Sequence, residues 1–169
     1  ATLRRMNRKY TTEEYMMVVE RLREVFPGVA ITTDLIVGFP GETDEEFQCT
    51  VDFIKKVAFS GMHVFKFSPR EGTPAAKYAD QVPPQVKEQR SKIVTAIAKE
   101  NEDAFKNEFL NKSLEVLFEQ KVDAQGDVFE GLTDNYIRVF AASEKDIKGA
   151  LLKVTLLEMK EDHIKGKLL

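Results

Sequence analysis

Ile31-Thr32-Thr33-Asp34-Leu35-Ile36-Val37-Gly38-Phe39-Pro40-Gly41-Glu42-Thr43 decides the fold. β-Branched residues dominate its first half, and Leu35-Ile36-Val37 is a continuous apolar run, which predicts a parallel strand over residues 29–37 covered on both faces. Gly38-Phe39-Pro40-Gly41 then turns the chain. Thr43 with Glu46 makes a capping box, the hydroxyl accepting an orphan helix N–H and the carboxylate reaching back. A helix therefore starts directly behind the turn, with Phe47, Val51, Ile54 and Ala58 on one face.

Working outward, Thr11 with Glu14 is a second capping box. Tyr15, Val18, Val19, Leu22, Val25 and Phe26 follow it at helical spacing until Pro27-Gly28 stops the element. Residues 62–67 predict a second strand, and 69–83 a long loop with a short helix opening at Thr73-Pro74. Residues 84–110 predict a long helix with Val86, Ile93, Ile97, Ala104 and Phe105 roughly in phase, about 40 Å at ~1.5 Å per residue. Strand–helix–strand–helix order means α/β with parallel strands. Two such units cannot close a barrel, so they fit a section of one. In such folds the chemistry sits at the C-terminal strand ends, here Gly38 to Glu42 and Ser68-Pro69-Arg70.

The pattern changes near residue 110. Residues 113–120, 128–133, 136–141, 150–159 and 164–169 read as strands. Gln125-Gly126-Asp127 reads as a hairpin turn, with further turn signals at Lys148-Gly149 and Glu161-Asp162. Such density predicts a small antiparallel barrel of the OB-like kind. The expected domains are 1–107, α/β, and 108–169, all-β.

Composition sets limits. Of 169 residues 43% are hydrophobic and 31% charged, an ordinary globular balance. No apolar run approaches the ~20 residues of a membrane span. The single cysteine, Cys49, excludes an internal disulfide and suits a reducing cytoplasm. With only His63 and His163 beside it, it also argues against a metal or iron–sulfur site built from this chain alone. Cys49 itself reads as a small helix residue. The net charge of −3 lies entirely in residues 108–169, which carry 9 basic and 12 acidic side chains, whereas residues 1–107 carry 16 of each. Neither part is the basic body of a general nucleic-acid binder. Arg4, Arg5, Arg8 and Lys9 form the one dense basic cluster, on a polar terminus without a helix start that reads as an internal cut point.

Several residues invite a functional reading beside a plain one. The Gly38–Thr43 turn either takes a ligand at close-approaching glycines and an anion at exposed N–H groups, or is a well-capped tight turn. It lacks the Gly-Lys-Ser/Thr ending of a P-loop. Asp34, inside an apolar strand, is either a structural hydrogen-bonding residue or faces a polar interior beside a site. The basic cluster meets phosphates or a carboxylate, or is a solvated charge run. Ser68 and Arg70 hold a ligand or simply line a loop. His63 reads as a core histidine. Asn135-Tyr136-Ile137-Arg138 puts an aromatic and a cation on one strand face, either a base-stacking and phosphate-binding pair or a half-buried Tyr beside a surface Arg.

Three runs taken in order carry a resemblance: residues 3–11 (Leu3-Arg4-Arg5-Met6-Asn7-Arg8-Lys9-Tyr10-Thr11), the deciding stretch, and residues 63–76 from His63-Val64-Phe65 through Ser68-Pro69-Arg70 to Ala76. They resemble the radical-SAM methylthiotransferase family, nearest the branch acting on threonylcarbamoyladenosine in tRNA. Glu130-Gly131-Leu132-Thr133-Asp134-Asn135-Tyr136 resembles the TRAM domain, a small RNA-binding barrel. The resemblance implies the C-terminal part of a partial TIM-type barrel followed by a TRAM barrel. It implies a cytoplasmic enzyme that uses S-adenosylmethionine and 4Fe–4S clusters to place a methylthio group on carbon 2 of a modified adenosine beside the tRNA anticodon. By that resemblance Arg8, Ile36, Val37, Gly38, Ser68 and Arg70 hold S-adenosylmethionine, and Asp34, Lys112, Asn135, Tyr136 and Arg138 meet substrate or RNA. The cluster-binding Cys-x-x-x-Cys-x-x-Cys loop is absent, so the chain alone is expected to be inactive, with no catalytic and no metal-binding residue of its own. The open barrel edge is expected to allow a dimer without biological meaning. Sister enzymes acting on isopentenyladenosine or on a ribosomal-protein aspartate remain open, as does a non-catalytic RNA-binding protein.

Overall fold

The computed structural model describes residues 1–122 and 126–169. Gln125, the first residue of the expected hairpin turn, lies outside them. The chain divides into two compact units, Ala1–Glu102 and Asp103–Leu169. Among the described residues no helix is long and apolar enough to cross a membrane.

The first unit runs α1 (Thr2–Arg5), α2 (Thr12–Val25), β1 (Thr32–Val37), α3 (Asp44–Val57), β2 (Gly61–Lys66), a 3-10 turn (Pro74–Lys77) and α4 (Pro84–Asn107), whose last turn crosses the division. Both capping boxes form, at Thr11 with Glu14 and at Thr43 with Glu46. α1 was not expected. It has no side-chain cap, and Thr2 and Arg5 hold it by hydrogen bonds to Glu46, a contact more than forty residues away that local sequence does not announce.

β1 and β2 pair in parallel from Thr32↔Gly61 to Val37↔Lys66. β1 begins three residues later than expected, because its partner strand begins only at Gly61. Leu35, Val37, Met62 and Val64 pack with Val19 of α2, Val51, Ile54 and Val57 of α3, and Val94 and Ile97 of α4. The alternate residues, Asp34, Ile36, His63 and Phe65, point to the other face. That face stays open: Asp34 and His63 are exposed and Phe65 is 51% exposed. The expectation of cover on both faces is therefore corrected, and so is the core reading of His63. On α4 the buried stripe is Arg90, Val94 and Ile97, while Ile93 is 40% exposed. Ala58 is no core residue either, being the left-handed C-cap of α3 at φ 51. α4 ends at Asn107, short of Leu110.

The second unit is a closed barrel of β3 (Ser113–Lys121), β4 (Val128–Thr133), β5 (Arg138–Ala142), β6 (Leu151–Met159) and β7 (Ile164–Leu168), in the order β3-β4-β5-β7-β6. Its core includes Val116, Phe118, Phe129, Val139, Val154, Leu156 and Ile164. β5 and β7 pair in parallel, so the barrel is not purely antiparallel as expected. Closure brings backbones together at Gly131, where a Cβ would lie 2.5 Å from the Leu117 carbonyl oxygen.

Candidate functional site

In the first unit a cavity of about 540 Å³ opens between α1, α3 and the β1 strand, a size that suits a small ligand. Arg8 and Tyr10 reach it from the α1–α2 link, Tyr15 from α2, Asp34 and Ile36 from β1, and Phe65 from β2. Arg8 and Asp34 make no side-chain hydrogen bond or ion pair among the described residues. A cation and a carboxylate are thus both available to a ligand, between aromatic walls. Arg8, Ile36 and Asp34, expected at a site from the sequence, come together here.

The other expected cofactor residues do not line this cavity. Val37 has its side chain fully buried in the helix-covered core, and its carbonyl accepts the Phe67 N–H at 2.9 Å. Gly38 is buried behind the turn under Lys87. Ser68 and Arg70 stand on an exposed loop.

Most donors of the Gly38–Thr43 turn are engaged within the protein. Gly38 N–H donates to Glu42 Oε2 at 2.7 Å, Gly41 N–H to the Asp80 carbonyl at 2.7 Å and Glu42 N–H to the Phe39 carbonyl at 2.9 Å. Thr43 N–H donates to Glu46 Oε2 at 3.2 Å, and Glu46 N–H to Thr43 Oγ1 at 3.2 Å. Arg90 Nη1 lies 2.6 Å from Glu42 Oε2 in a pair whose side chains are 6% and 3% exposed, and its Nη2 bonds Asp44 Oδ1 at 2.7 Å. The Arg5 guanidinium on Glu46 holds that carboxyl down at about 2. Sequence reasoning missed Glu42 with Arg90, and the cavity's Tyr10 and Phe65. The available signal was Arg90 itself, one helical turn before Val94, at a position where a buried cation demands a carboxylate.

Among the described residues no group of three His, Cys, Asp or Glu side chains could hold a metal. Cys49 is lone and exposed on α3. The residues present do not fit an iron–sulfur cluster.

In the barrel, Tyr136 occupies the β4–β5 turn at φ 62 with its ring 80% exposed. Thr133 holds that turn. Its Oγ1 accepts the Ile137 N–H at 2.9 Å and donates to Asn135 Oδ1 at 2.6 Å, while its carbonyl accepts the Tyr136 N–H at 3.0 Å. The expected face shared by Tyr136 and Arg138 is corrected, because β5 begins only at Arg138. Arg138 is also not a free cation. It bonds Glu130 at 2.7 Å and Asp162 at 2.6 Å, which lowers the pKa of Glu130. Lys112 immediately precedes β3, and the register Val116↔Thr133 puts it at the same barrel end as the Tyr136 turn.

An α/β piece with one open strand face, followed by a closed five-stranded barrel, defines the class: a partial radical-SAM region with a small β-barrel behind it. Residues 1–54 match the Radical SAM superfamily. Over 167 residues the chain is 40% identical to "Threonylcarbamoyladenosine tRNA methylthiotransferase MtaB" of Bacillus subtilis, covering 98% of this chain and 37% of that protein. It is 40% identical over 166 residues to a "tRNA-2-methylthio-N(6)-dimethylallyladenosine synthase" of Anoxybacillus flavithermus (98% and 32% covered), and 39% identical to the protein so described from Geobacillus thermodenitrificans (98% and 32%). Over nearly its whole length the chain is therefore similar to radical-SAM tRNA methylthiotransferases. It spans about a third of the length of the curated relatives it matches.

Proposed function

We propose that this chain is the C-terminal part of a cytoplasmic methylthiotransferase that modifies carbon 2 of threonylcarbamoyladenosine beside the tRNA anticodon. The observation that carries the reading is the cavity, which offers an unpaired Arg8 and an unpaired Asp34 between aromatic walls. Those residues fit S-adenosylmethionine: Ile36 and Phe65 would border its adenosyl body, while Arg8 and Asp34 would meet its carboxylate and its cationic groups. When bound, that cofactor supplies the adenosyl radical for hydrogen abstraction. The protein's part here is to orient the ligand and keep water from it. With no ligand set for a cluster, the chain by itself is inactive in this reading.

The barrel would serve the RNA. A rigidly held, exposed Tyr136 suits stacking on an unpaired base, and Lys112 at the same barrel end suits a phosphate. Asn135 is engaged by Thr133 and acts by shaping the turn. The acid-rich composition of this unit limits the phosphate contribution, so its binding is expected to be weak with a shallow salt dependence.

Mass spectrometry of tRNA nucleosides from cells with and without the gene tests the reading. Loss of the methylthio group from threonylcarbamoyladenosine alone is the expected result. Loss from dimethylallyladenosine instead would move the protein to the sister branch, one member of which is also 40% identical to it. No change in either nucleoside would overturn the tRNA reading.

A further inference from the structure

We propose that Arg90 is a positioning residue: it sets the shape of the Gly38–Thr43 turn, and through it the ligand affinity of the site that β1 leads into. The turn cannot set its own shape. Gly38 and Gly41 sit at φ 71 and 77, and glycines at such angles bring conformational freedom, not order. What orders the turn is a chain of buried polar contacts ending on α4. Gly38 N–H donates to Glu42 Oε2 at 2.7 Å, and the same oxygen accepts Arg90 Nη1 at 2.6 Å. Arg90 Nη1 also donates to the Glu42 carbonyl at 3.0 Å, so the guanidinium grips both side chain and backbone. Without Arg90 the Glu42 carboxylate would be buried with one N–H for company. Left uncompensated there, it would swing toward water, and that frees Gly38.

A second cation on the same helix supports this. Lys87, three residues earlier, donates from Nζ to the Phe67 carbonyl at 3.0 Å, and its Cγ lies 2.4 Å from where a Cβ on Gly38 would stand. α4 therefore grips the ends of both strands, β1 through Arg90 and Glu42, β2 through Lys87. The guanidinium matters as a fork. A lysine at this position keeps the charge but cannot serve Glu42 and Asp44 together. The ligand half of the proposal rests on the S-adenosylmethionine reading above, while the half about the turn does not.

The test uses the full-length protein, amide hydrogen exchange at residues 38–43, and S-adenosylmethionine affinity by equilibrium dialysis. Arg90→Lys and Arg90→Ala are compared with Val94→Ala, a fully buried apolar position one turn along the same helix that makes no polar contact with the turn. Both Arg90 variants are expected to speed exchange at Gly38 and Gly41 by ~10-fold or more and to weaken binding by a similar factor, the scale of one lost buried charge-assisted contact. Val94→Ala is expected to lower the Tm while leaving both readouts unchanged. Exchange at Gly38 unaltered in both Arg90 variants, or altered equally by Val94→Ala, would overturn the proposal. Faster exchange with unchanged affinity would overturn its ligand half. Absence of binding by the unsubstituted protein would overturn the cofactor reading, with the exchange result still deciding the role of Arg90 in the turn.

Discussion

Tyr136 combines an unfavourable backbone with an exposed ring, at φ 62 and 80% exposure. A left-handed aromatic residue persists only where its surroundings impose it, and Thr133 does so here. Tyr136→Gly is therefore expected to raise stability by about 1 kcal/mol in a denaturant titration while weakening tRNA binding. Opposite signs in the two readouts mark a functional residue; a loss in both would mark a structural one. Thr133→Ala should cost about 1–3 kcal/mol, because it leaves a buried amide without its acceptor. Glu46 gives the pH dependence. Arg5 first, and the Thr43 amide and Thr2 hydroxyl after it, hold its carboxyl at about 2 against an ordinary 4.5. A depressed carboxyl stabilises the fold above its unfolded value, so the contribution is complete above about pH 4.5 and vanishes as pH falls toward 2. Water beside the pair screens it to about 1 kcal/mol. Stability curves of the natural protein and Glu46→Gln should accordingly converge as pH falls toward 2 and separate above 4.5.

At the scale of elements, α3 depends on a cap and the barrel on a glycine. Thr43→Ala removes the hydroxyl that accepts the Glu46 N–H and should cost about 1 kcal/mol by calorimetry. Gly131→Ala would drive a methyl within 2.5 Å of the Leu117 carbonyl and 2.7 Å of Val116 Cγ1. Backbone cannot yield as a side-chain tip can, so a loss of about 3 kcal/mol or more is expected, enough to open the β3–β4 pairing. Gly149→Ala meets nothing within 4 Å, and its φ of 77 alone should cost about 1 kcal/mol. Both capping boxes were legible because a cap is written within four residues. α1 was not, because its partner Glu46 lies on another helix. The start of β5 was misplaced because Tyr136 has strand propensity, and only the tertiary turn around Thr133 overrides it.

At the scale of the molecule, the described residues form two separate cores. One is built on Val37, Ile54, Val57 and Val94, the other on Phe118, Phe129, Val154 and Leu156. Calorimetry should therefore resolve two transitions, with Ile54→Ala lowering one and Phe118→Ala the other by an amount matching about 3 kcal/mol. A single transition shifted equally by both would show that the units unfold together. The sequence by itself determined the two structural classes, most strand positions, the starts of the longer helices and the family resemblance, since these follow from local chemistry: periodicity, capping boxes, glycine turns and contiguous motifs. It also singled out Arg8, Asp34 and Ile36, which line one cavity. Only the tertiary structure decided that the β1–β2 sheet is covered on one face, that β5 pairs in parallel with β7, that Val37 faces the core, and that the Gly38 N–H after β1 is taken by Glu42. The physical reason is common to all four. A strand's outward and inward faces, and the partner of a buried charge, are fixed by what packs against them from distant parts of the chain, and Arg90 reaches Glu42 across forty-eight residues.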